Sequence, residues 1–506
     1  MGFYLSVSGI LPQPEATVLC SAKVMGPMQR QDLALQALAR TAPISRLAGE
    51  HAVSRKFVYQ QRDRANEGIH DAFFEEESPA EEVLFYLPVT KEWIEQLILG
   101  LTLICHSSIR GVGELCRDLF DYPVSVGKVH EVLRRVTTQA QQYNAQQDLS
   151  GVRIGAHDEI FQSGRPVLVG ADVDSTYCYL LSLEDQRDGD TWGIRLLELQ
   201  DRGFQPEATI ADAGSGLRAG QNLAMPEVSC RGDVFHALQT FQPLVTFLEN
   251  RGYEAIAART ELQRKKARRH WRGQRTQDLA CKIGHARRVE DQALALADDV
   301  ATLFHWLRYD VLSLAGPDHA TRRELFDFVV AELRCREPLR PHHIGPIVRA
   351  LSNQRDQLLA FAAQLDRDLA DLAVEFQLPV ATLREAFNTE ALDLQHPGRW
   401  PREAALRERL GGRFFVVSTA VAELADRTIR ASSVIENINS RLRSYFFLRR
   451  HLGPDYLALL QFFLNHRRFL RSERPERVGK SPAELLTGET HPHWLQMLGH
   501  ARFSRN

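Results

Sequence analysis

The part of the chain that most restricts the possible folds lies between residues 152 and 214. Two runs rich in Val, Ile and Ala, residues 152–161 and 207–214, each carry an acidic residue at or near their end. Two more runs of strand length, PVLVGADV and TYCYLLSL, and a helical pattern, DTWGIRLLELQDRGF, lie between them. These patterns predict three strands, a helix and a fourth strand that ends in Asp. A short strand should then lead into a helix that begins near Asp233.

The composition is that of a globular protein with several domains. A length of 506 residues predicts about two to four domains, and 44% apolar and 25% charged residues are close to the globular average. The seven Cys lie far apart without a CxxC pair, which favours reduced thiols in a cytoplasmic protein. We expect no secretory signal, and Gly2 and Ser6 fit only the loose myristoylation pattern. The longest apolar run, residues 93–105, contains Glu95 and Gln96 and is too short to span a membrane.

Residues 28–68 have the pattern of a helix-turn-helix motif. A short helix is followed by a turn at residues 51–53 and by a second helix for which Ser54 is the expected N-cap. In such motifs the second helix enters the major groove of DNA. We favour DNA contact over an ordinary helical hairpin with a solvated basic face. The residues expected along that helix are Arg55, Lys56, Tyr59, Gln60 and Arg62.

Residues 90–150 allow two interpretations. A short helix, the break FDYPVS and a longer helix repeat the helix-turn-helix pattern, and the exposed polar face would then carry Ser125, Lys128, Arg134 and Arg135. The same pattern fits a helical bundle that braces the core. The sequence leaves both open.

Positive charge is concentrated in residues 259–275. This segment holds eight Lys or Arg and one Glu, in a chain whose net charge is −2. Such an uneven balance favours phosphate contacts over a solvated helix face. The predicted DNA-binding residues here are Arg264, Lys265, Lys266, Arg268, Arg269, Trp271 and Arg272.

Two strand acids are the first candidates for chemistry. Side chains alternate along a strand, so Asp158 and its neighbour Glu159 must face opposite sides of a sheet. Asp158 is in phase with Val152, Ile154 and Ala156, which places it on the packed face. Asp212 ends the fourth strand beside a Gly-rich turn, where α/β folds commonly place ligands, although a turn-stabilising role fits as well.

A third acid, Glu436, lies far along the chain. Ser433 and Glu436 have the spacing of a capping box, which is a purely structural explanation. However, two amides, Asn437 and Asn439, and two guanidinium groups, Arg441 and Arg443, follow, which is more than a cap requires. Three converging carboxylates would suit two Mg²⁺ or Mn²⁺ ions, which activate water and stabilise the leaving oxygen in attack on phosphodiesters.

A further cluster is formed by Cys230, Asp233 and His236. Asp233 and His236 are three residues apart on a predicted helix and therefore lie on one side of it. They could lie beside the metal site, or Asp233 could simply cap its helix. We do not expect a zinc site, because no second ligand pair has suitable spacing.

In combination these motifs resemble DDE transposases whose ribonuclease-H-like core is split by a large helical insertion, the mutator- and hAT-like branch. Asp158 and Asp212 lie on strands of one core, and DVFH at residues 233–236 is similar to the C/D-x-x-H motif that follows the second aspartate in that branch. ENINSRLR at residues 436–443 comes only after a long helical stretch. The closing GKSPAELLTG is similar to the tails of bacterial insertion-sequence transposases.

This resemblance implies a mixed α/β and all-α fold, in which a ribonuclease-H-like catalytic core is interrupted by an all-helical insertion and preceded by a helix-turn-helix region. It implies that Asp158, Asp212 and Glu436 bind two Mg²⁺ ions and catalyse strand cleavage at transposon ends and strand transfer into target DNA. Asp233, His236, Asn437, Asn439 and Arg443 would assist them. In some relatives an insertion Trp stacks on a flipped base, and Trp271 and Trp306 are both candidates here.

The resemblance also implies DNA partners, namely terminal inverted repeats, flanking DNA and target DNA, and a homodimer or higher oligomer in a bacterial cytoplasm. The alternatives are an inactive DNA-binding regulator, a metal-dependent nuclease without strand transfer, and a helical scaffold. The expected segments are an N-terminal arm (1–27), a helix-turn-helix (28–68), an acidic linker (69–89), a second helical region (90–150), the first part of the core (151–250), the insertion (251–430), the last part of the core (431–475) and a tail (476–506).

Overall fold

A computed structural model describes residues 21–73, 87–212, 214–448 and 453–502. The chain separates into a first unit that ends at Pro88 and a second that begins at Val89. Most of the expected N-terminal arm and most of the expected acidic linker lie outside the described residues, as do Gly2 and Ser6. No helix in the part of the chain that the structure describes has both the length and the apolar character needed to cross a membrane.

The first unit contains the predicted short helix, the turn and the second helix, which is longer than the first. Its helices are α1 (Ser21–Val24), α2 (Pro27–Leu38), α3 (Ile44–Glu50) and α4 (Arg55–Phe73). Ser54 accepts a hydrogen bond from the backbone N–H of Phe57 at 3.1 Å, so its predicted role as N-cap of the second helix is confirmed. A small core of Leu33, Leu47 and Val58 joins the helices.

The second unit is built around a five-stranded mixed sheet. Its strands are β1 (Ile154–Gln162), β2 (Arg165–Asp172), β3 (Cys178–Leu183), β4 (Ala208–Ala211) and β5 (Ser229–Gly232). Their order across the sheet is β3-β2-β1-β4-β5. β2 is antiparallel to β1 and β3, whereas β4 is parallel to β1 and β5. The predicted succession of three strands, a helix and a fourth strand is therefore present, with β1 at its centre.

Helices precede, interrupt and follow this sheet. The earlier ones are α5 (Lys91–Leu103), α6 (Ile109–Phe120), α7 (Val126–Gln146), α8 (Gly189–Gln200) and α9 (Ser215–Ala224). The later ones are α10 (Val234–Trp271), α11 (Gln277–Trp306), α12 (His319–Arg336), α13 (Pro341–Leu358), α14 (Ala360–Phe376), α15 (Val380–Glu390), α16 (Arg399–Leu410), α17 (Phe414–Arg427), α18 (Ser433–Leu448), α19 (Pro454–His466), α20 (Pro482–Thr487) and α21 (Trp494–Met497). A mixed α/β layer joined to a large helical part is thus confirmed as the fold class.

The two faces of the sheet carry different apolar cores. Ile154, Ala156 and Ile160 of β1 pack with α5, α6, α7, α18 and α19 on one face. Trp192 of α8 belongs to the core on the other face, where α8 and α9 lie. Val152, which the sequence analysis placed in phase with Ile154, lies before β1 and packs in the second core. The expected alternation therefore holds within the strand but does not extend back to Val152.

Helices α5 to α7 brace the sheet. α7 buries Val129, Val132 and Val136 against the core that covers β1. Lys128 and Arg135, two of the expected polar-face cations, are ion-paired with Glu95 of α5, the former at 3.1 Å. Ser125 caps α7 by accepting the backbone N–H of Lys128. These contacts support the bracing interpretation of this region.

The helical part lies between β5 and α18 in the chain. Two apolar clusters hold it together, one formed mainly by α10 to α13 and one by α14 to α17. α10 is a single helix of 38 residues that starts directly after β5 and contains Pro243. It passes through residue 250 without a break, at the point where the sequence analysis placed a boundary.

Candidate active site

Asp158 lies in the central strand and faces α18. Its Oδ2 accepts a hydrogen bond from Nδ2 of Asn439 at 2.6 Å, and its Oδ1 accepts the backbone N–H of Glu159 at 2.7 Å. The Glu159 side chain points to the opposite face, where it accepts hydrogen bonds of 2.9 Å from Trp192 Nε1 and from Arg187. The choice of Asp158 over Glu159 for the site that contains α18 is therefore consistent with the packing.

Asp212 directly follows the strand next to β1. Ala211, the last residue of β4, pairs with His157 in parallel register, so Asp212 and Asp158 each come one residue after a paired position. Adjacent strands are about 4.8 Å apart, which brings the backbones of the two acids together. Asp212 Oδ1 also accepts the backbone N–H of Gly214 at 2.8 Å, so the turn-stabilising role is present alongside any other.

Glu436 approaches from the first turn of α18. Its Oε1 lies 3.7 Å from Nδ1 of His236, and its Oε2 lies 4.0 Å from the guanidinium group of Arg443. α18 begins at Ser433, so Ser433 is a helical residue and not the cap that a Ser433–Glu436 capping box requires. The backbone N–H of Glu436 donates instead to the carbonyl of Ser432. The carboxylate is directed at His236 and Arg443.

The three carboxylates share one electrostatic environment. Burial raises the pKa of Asp158 to about 6, and the negative charges of Asp212 and Glu436 also raise it. The backbone N–H of Glu159 and the nearby His236 act in the opposite direction. Asp212 and Glu436, which are far from Asp158 in the chain, therefore lie near enough in space for their charges to act on it.

Asp233 and His236 have different roles. Asp233 is buried and caps α10 by accepting the backbone N–H of His236 at 3.1 Å. Its other oxygen accepts both the backbone N–H of Ser432, at 3.2 Å, and the Ser432 hydroxyl. His236 faces Glu436. Asp233 therefore joins the beginning of α10 to the residue before α18, and only His236 of this motif contacts the carboxylate cluster.

Supporting residues that the sequence analysis did not single out lie around these acids. Arg218 of α9 donates from Nε to the backbone carbonyl of Asp212 at 3.0 Å. Ser432 completes the contact with Asp233 described above. Arg218 follows Asp212 by six residues, which is a weak local signal, but nothing in the sequence near Ser432 indicates a partner 199 residues away. Asn437 is exposed on α18, in contrast to the buried Asn439.

The chemistry of these donors suits a divalent cation, although they do not form a closed cage. Within the described residues, no group of three or more His, Cys, Asp or Glu side chains is gathered closely enough to hold a metal ion. Mg²⁺ commonly binds through one or two carboxylates and completes its shell with water and substrate phosphates. The negative charges of Asp212 and Glu436 raise the pKa of Asp158, and such a cation would neutralise these charges. The carboxylate chemistry of these residues therefore suits Mg²⁺ or Mn²⁺, whereas their spacing does not by itself complete a metal site.

The predicted DNA-binding residues of the first unit are accessible on α4. Arg55, Lys56, Tyr59 and Gln60 are exposed. The guanidinium group of Arg62 lies 4.8 Å from the centre of the Tyr59 ring and pairs with Asp63 at 2.5 Å.

The predicted basic residues of the second unit lie at the far end of α10. Arg268 and Arg269 are ion-paired with Glu261 and Asp278, at 2.7 and 3.1 Å, and the others remain available. Trp271, which is 88% exposed, ends the helix. About 35 residues separate it from His236, which at 1.5 Å per residue is roughly 50 Å. Trp271 is therefore remote from the carboxylates, and the structure does not bring this basic segment to them.

Trp306 occupies a different position. It ends α11, is 41% exposed, and its ring lies 5.9 Å from that of Phe328. The next turn, Leu307–Val311, is π-helical and leads to Leu312, whose carbonyl accepts a hydrogen bond from Arg430. The carbonyl of Arg430 in turn accepts the N–H of Val234 beside Asp233. Of the two tryptophans, Trp306 thus lies closer to the carboxylate cluster.

The chain matches no protein-family model, and a search of curated proteins finds no match either.

Proposed function

We propose that this protein is a DNA transposase of the DDE type, with a ribonuclease-H-like core split by a helical insertion. The observation that carries the proposal is that Asp158 and Asp212 follow paired positions of neighbouring parallel strands, and that Glu436, from a helix after the long helical part, shares their electrostatic environment. The succession of strands and helices in the sheet supports the fold assignment, because it is the succession on which the family resemblance rests.

The proposed reaction assigns a role to each group. Asp158, Asp212 and Glu436 would hold two Mg²⁺ or Mn²⁺ ions, which when bound activate water and stabilise the leaving oxygen of a phosphodiester. Asn439 orients Asp158 through its hydrogen bond, and Arg218 fixes the backbone at Asp212. His236 and Arg443 flank Glu436 and limit the positions that its carboxylate can take. The freed 3′-hydroxyl would then attack target DNA.

The DNA-binding surfaces complete the proposal. The exposed residues of α4 would recognise the terminal inverted repeats, and the basic end of α10 would contact flanking or donor DNA. A neutral protein gains little general attraction for DNA, so such local positive surfaces must supply the phosphate contacts. Two or more copies of the chain would bring the two ends of the element together.

The proposal can be tested with supercoiled plasmid DNA and either Mg²⁺ or Mn²⁺. The wild-type protein should nick the DNA and join strands, whereas Asp212→Ala should bind DNA without cutting it. If both proteins bind and neither cuts, the chain is a DNA-binding regulator and the enzymatic proposal is wrong. Cut products that are never joined to other DNA would instead identify a nuclease without strand transfer.

A further inference from the structure

The distal part of the α10–α11 hairpin forms an arm that is two helices thick. We use the name distal arm for residues 253–294. The apolar cluster of the helical part ends at Leu248 in α10 and resumes at Leu296 in α11. Between these positions the buried residues of the two helices, apart from Gly252 at the base, are Leu279 and Glu290. The distal arm therefore extends beyond the packed body of the helical part.

Ion pairs across the hairpin hold the two helices of the distal arm in antiparallel register. Arg259 pairs with Glu290 near the base, and Arg269 pairs with Asp278 near the turn, at 3.1 Å. Because these pairs occur at both ends, the arm is a defined extension of α10 and not a frayed helix end.

The distal arm carries a local excess of positive charge. It contains eleven Lys or Arg and five Asp or Glu, whereas the remainder of the chain has eight more acids than bases. Four of the five acids are ion-paired with arginines, including the two pairs above. The cations that have no ionic partner among the described residues are Arg264, Lys265, Lys266, Arg272, Arg275, Lys282, Arg287 and Arg288. An excess of unpaired cations of this kind is suited to a row of phosphates.

The base of α10 is fixed beside the carboxylate cluster. His236, in the first turn of α10, lies 3.7 Å from Glu436, and the basic tip lies roughly 50 Å further along the helix axis. Duplex DNA advances 3.4 Å per base pair, so a duplex that runs alongside the arm covers this distance in about 15 base pairs.

We propose that the tip of the distal arm binds the backbone of the same DNA duplex whose phosphate lies at Asp158, Asp212 and Glu436, about 15 base pairs from that phosphate. The preferred substrate is then a duplex that extends at least this far on one side of the reacting bond. Trp271, exposed among the tip cations, contacts this distant DNA and takes no part in holding a base at the cleavage position. This inference rests on the proposed function, because it specifies the length of that enzyme's substrate.

The inference predicts a dependence of binding on DNA length. Wild-type protein should bind a duplex of about 30 base pairs far more tightly than one of about 10 base pairs, measured by fluorescence anisotropy. The triple variant Arg264→Gln, Lys265→Gln, Arg272→Gln should lose this advantage. The logarithm of the DNA-binding constant falls linearly with the logarithm of the salt concentration. Removing three phosphate contacts should make this slope less steep by about 2.7. A control triple variant, Arg349→Gln, Arg367→Gln, Arg402→Gln, changes exposed arginines outside the arm and should retain both properties.

The outcomes separate this inference from the proposed catalysis. Cleavage of short and long duplexes at the same rate, with equal binding of both, would overturn the inference and leave the enzyme assignment intact. Length-dependent binding that requires the tip, without cleavage of any duplex, would support the DNA contact and refute the catalysis. If the tip variant instead loses an oligomeric state that the wild type has without DNA, the arm binds a second copy of the chain and the inference is wrong.

Discussion

The side-chain amide of Asn439 lies 2.6 Å from Oδ2 of Asp158, although 281 residues separate the two in the chain. This hydrogen bond joins α18, which carries Glu436, directly to the central strand of the sheet. Asn439 is fully buried, and its side-chain oxygen has no partner among the described residues. The one side-chain hydrogen bond that Asn439 makes within the described residues is therefore the bond to Asp158, and we expect this bond to help position α18 on the sheet.

Replacing Asn439 should damage both stability and the proposed reaction. Asn439→Ala removes a hydrogen bond to a charged group, which contributes about 1.5–3 kcal/mol to the free energy of unfolding. It also releases Asp158, so cleavage should fall more than DNA binding. Asn437→Ala is a matched control, because Asn437 is exposed on the same helix two residues earlier. Urea unfolding and a plasmid nicking assay measure the two effects, and equal behaviour of the two variants would contradict this role.

Asp158 should make the metal-free protein less stable as the pH rises. Its pKa is raised from 3.8 to about 6, so the folded protein binds a proton more tightly than the unfolded chain between these values. Stability therefore decreases as the pH rises from about 4 to about 6, and the loss is complete above the folded pKa. Asp158→Asn removes the charge and keeps one acceptor oxygen for Asn439, but its NH₂ group then faces the backbone N–H of Glu159. The variant should therefore lose this pH dependence, which in the wild type amounts to up to about 3 kcal/mol between pH 4 and pH 6.

The neighbouring acid provides the control for this prediction. Glu159 is engaged by Arg187 and Trp192 on the other face of the sheet, so Glu159→Gln should lower the free energy of unfolding at pH 7. Urea titrations in EDTA at several pH values measure both variants. Adding Mg²⁺ should stabilise the wild type and not Asp158→Asn. If Asp158→Asn keeps the wild-type decrease in stability between pH 4 and pH 6, the buried Asp158 carboxyl group is not its source.

Local patterns in the sequence predicted the elements and the facing of Asp158 because those properties depend on neighbouring residues. Period-two alternation within β1 separates Asp158 from Glu159, and the side chains of Ser54 and Asp233 cap their helices as their residue types suggest. The capping-box spelling at Ser433 and Glu436 was misleading, because α18 starts at Ser433 itself. The residue at which a helix starts depends on the hydrogen bonds of the residues before it. Here Ser432, just before α18, is bonded to Asp233.

Contacts between distant segments could not be predicted in the same way. The Asn439–Asp158 hydrogen bond depends on how α18 packs on the sheet. No local pattern in the sequence indicates which residue of α18 faces which residue of β1. The two candidate tryptophans looked equivalent in the sequence. Only the unbroken course of α10, which tolerates Pro243, places Trp271 far from the carboxylates.

Arg322 should be among the residues most important for the stability of the helical part. It is fully buried and donates to the backbone carbonyls of Val311, Ser313, Leu314 and Pro317, at 2.6, 2.6, 3.1 and 2.8 Å. Burial lowers the pKa of its guanidinium group to about 10. The four carbonyls belong to residues 311–317, the segment in which the π-helical turn ends. This segment includes Leu312, whose carbonyl accepts a hydrogen bond from Arg430. Arg322 thus stabilises the segment that supports the junction beside Asp233.

Arg322→Ala should lower the free energy of unfolding by about 3–5 kcal/mol, because several buried carbonyls lose their donor at once. Arg322→Lys should recover only part of the loss, since a single ammonium group cannot reach four carbonyls as the planar guanidinium group does. Arg323→Ala is the control, because Arg323 is exposed and its closest acid, Asp356, is 4.0 Å away. It should change stability by less than about 0.5 kcal/mol. Chemical denaturation measures all three, and a mild effect of Arg322→Ala would refute this assignment.

Ser432 and Asp233 should position Glu436 without contacting DNA or metal. Asp233 caps α10 and at the same time accepts the N–H and hydroxyl of Ser432, the last residue before α18. Ser432→Ala removes the hydroxyl and leaves the cap of α10 in place, so stability should fall by about 1.5–3 kcal/mol, as for other hydrogen bonds to a carboxylate. Glu436 would be less well held, so we expect slower cleavage and a higher Mg²⁺ concentration for half-maximal rate, with DNA binding unchanged.

Two further variants serve as controls for Ser432→Ala. Ser432→Thr retains the hydroxyl and should restore both the cleavage rate and the Mg²⁺ concentration for half-maximal rate. Ser433→Ala alters the adjacent, exposed serine and should behave like the wild type. If Ser432→Ala and Ser433→Ala have the same Mg²⁺ dependence, the contact with Asp233 is structural only, and Glu436 is positioned by His236, Arg443 and the packing of α18.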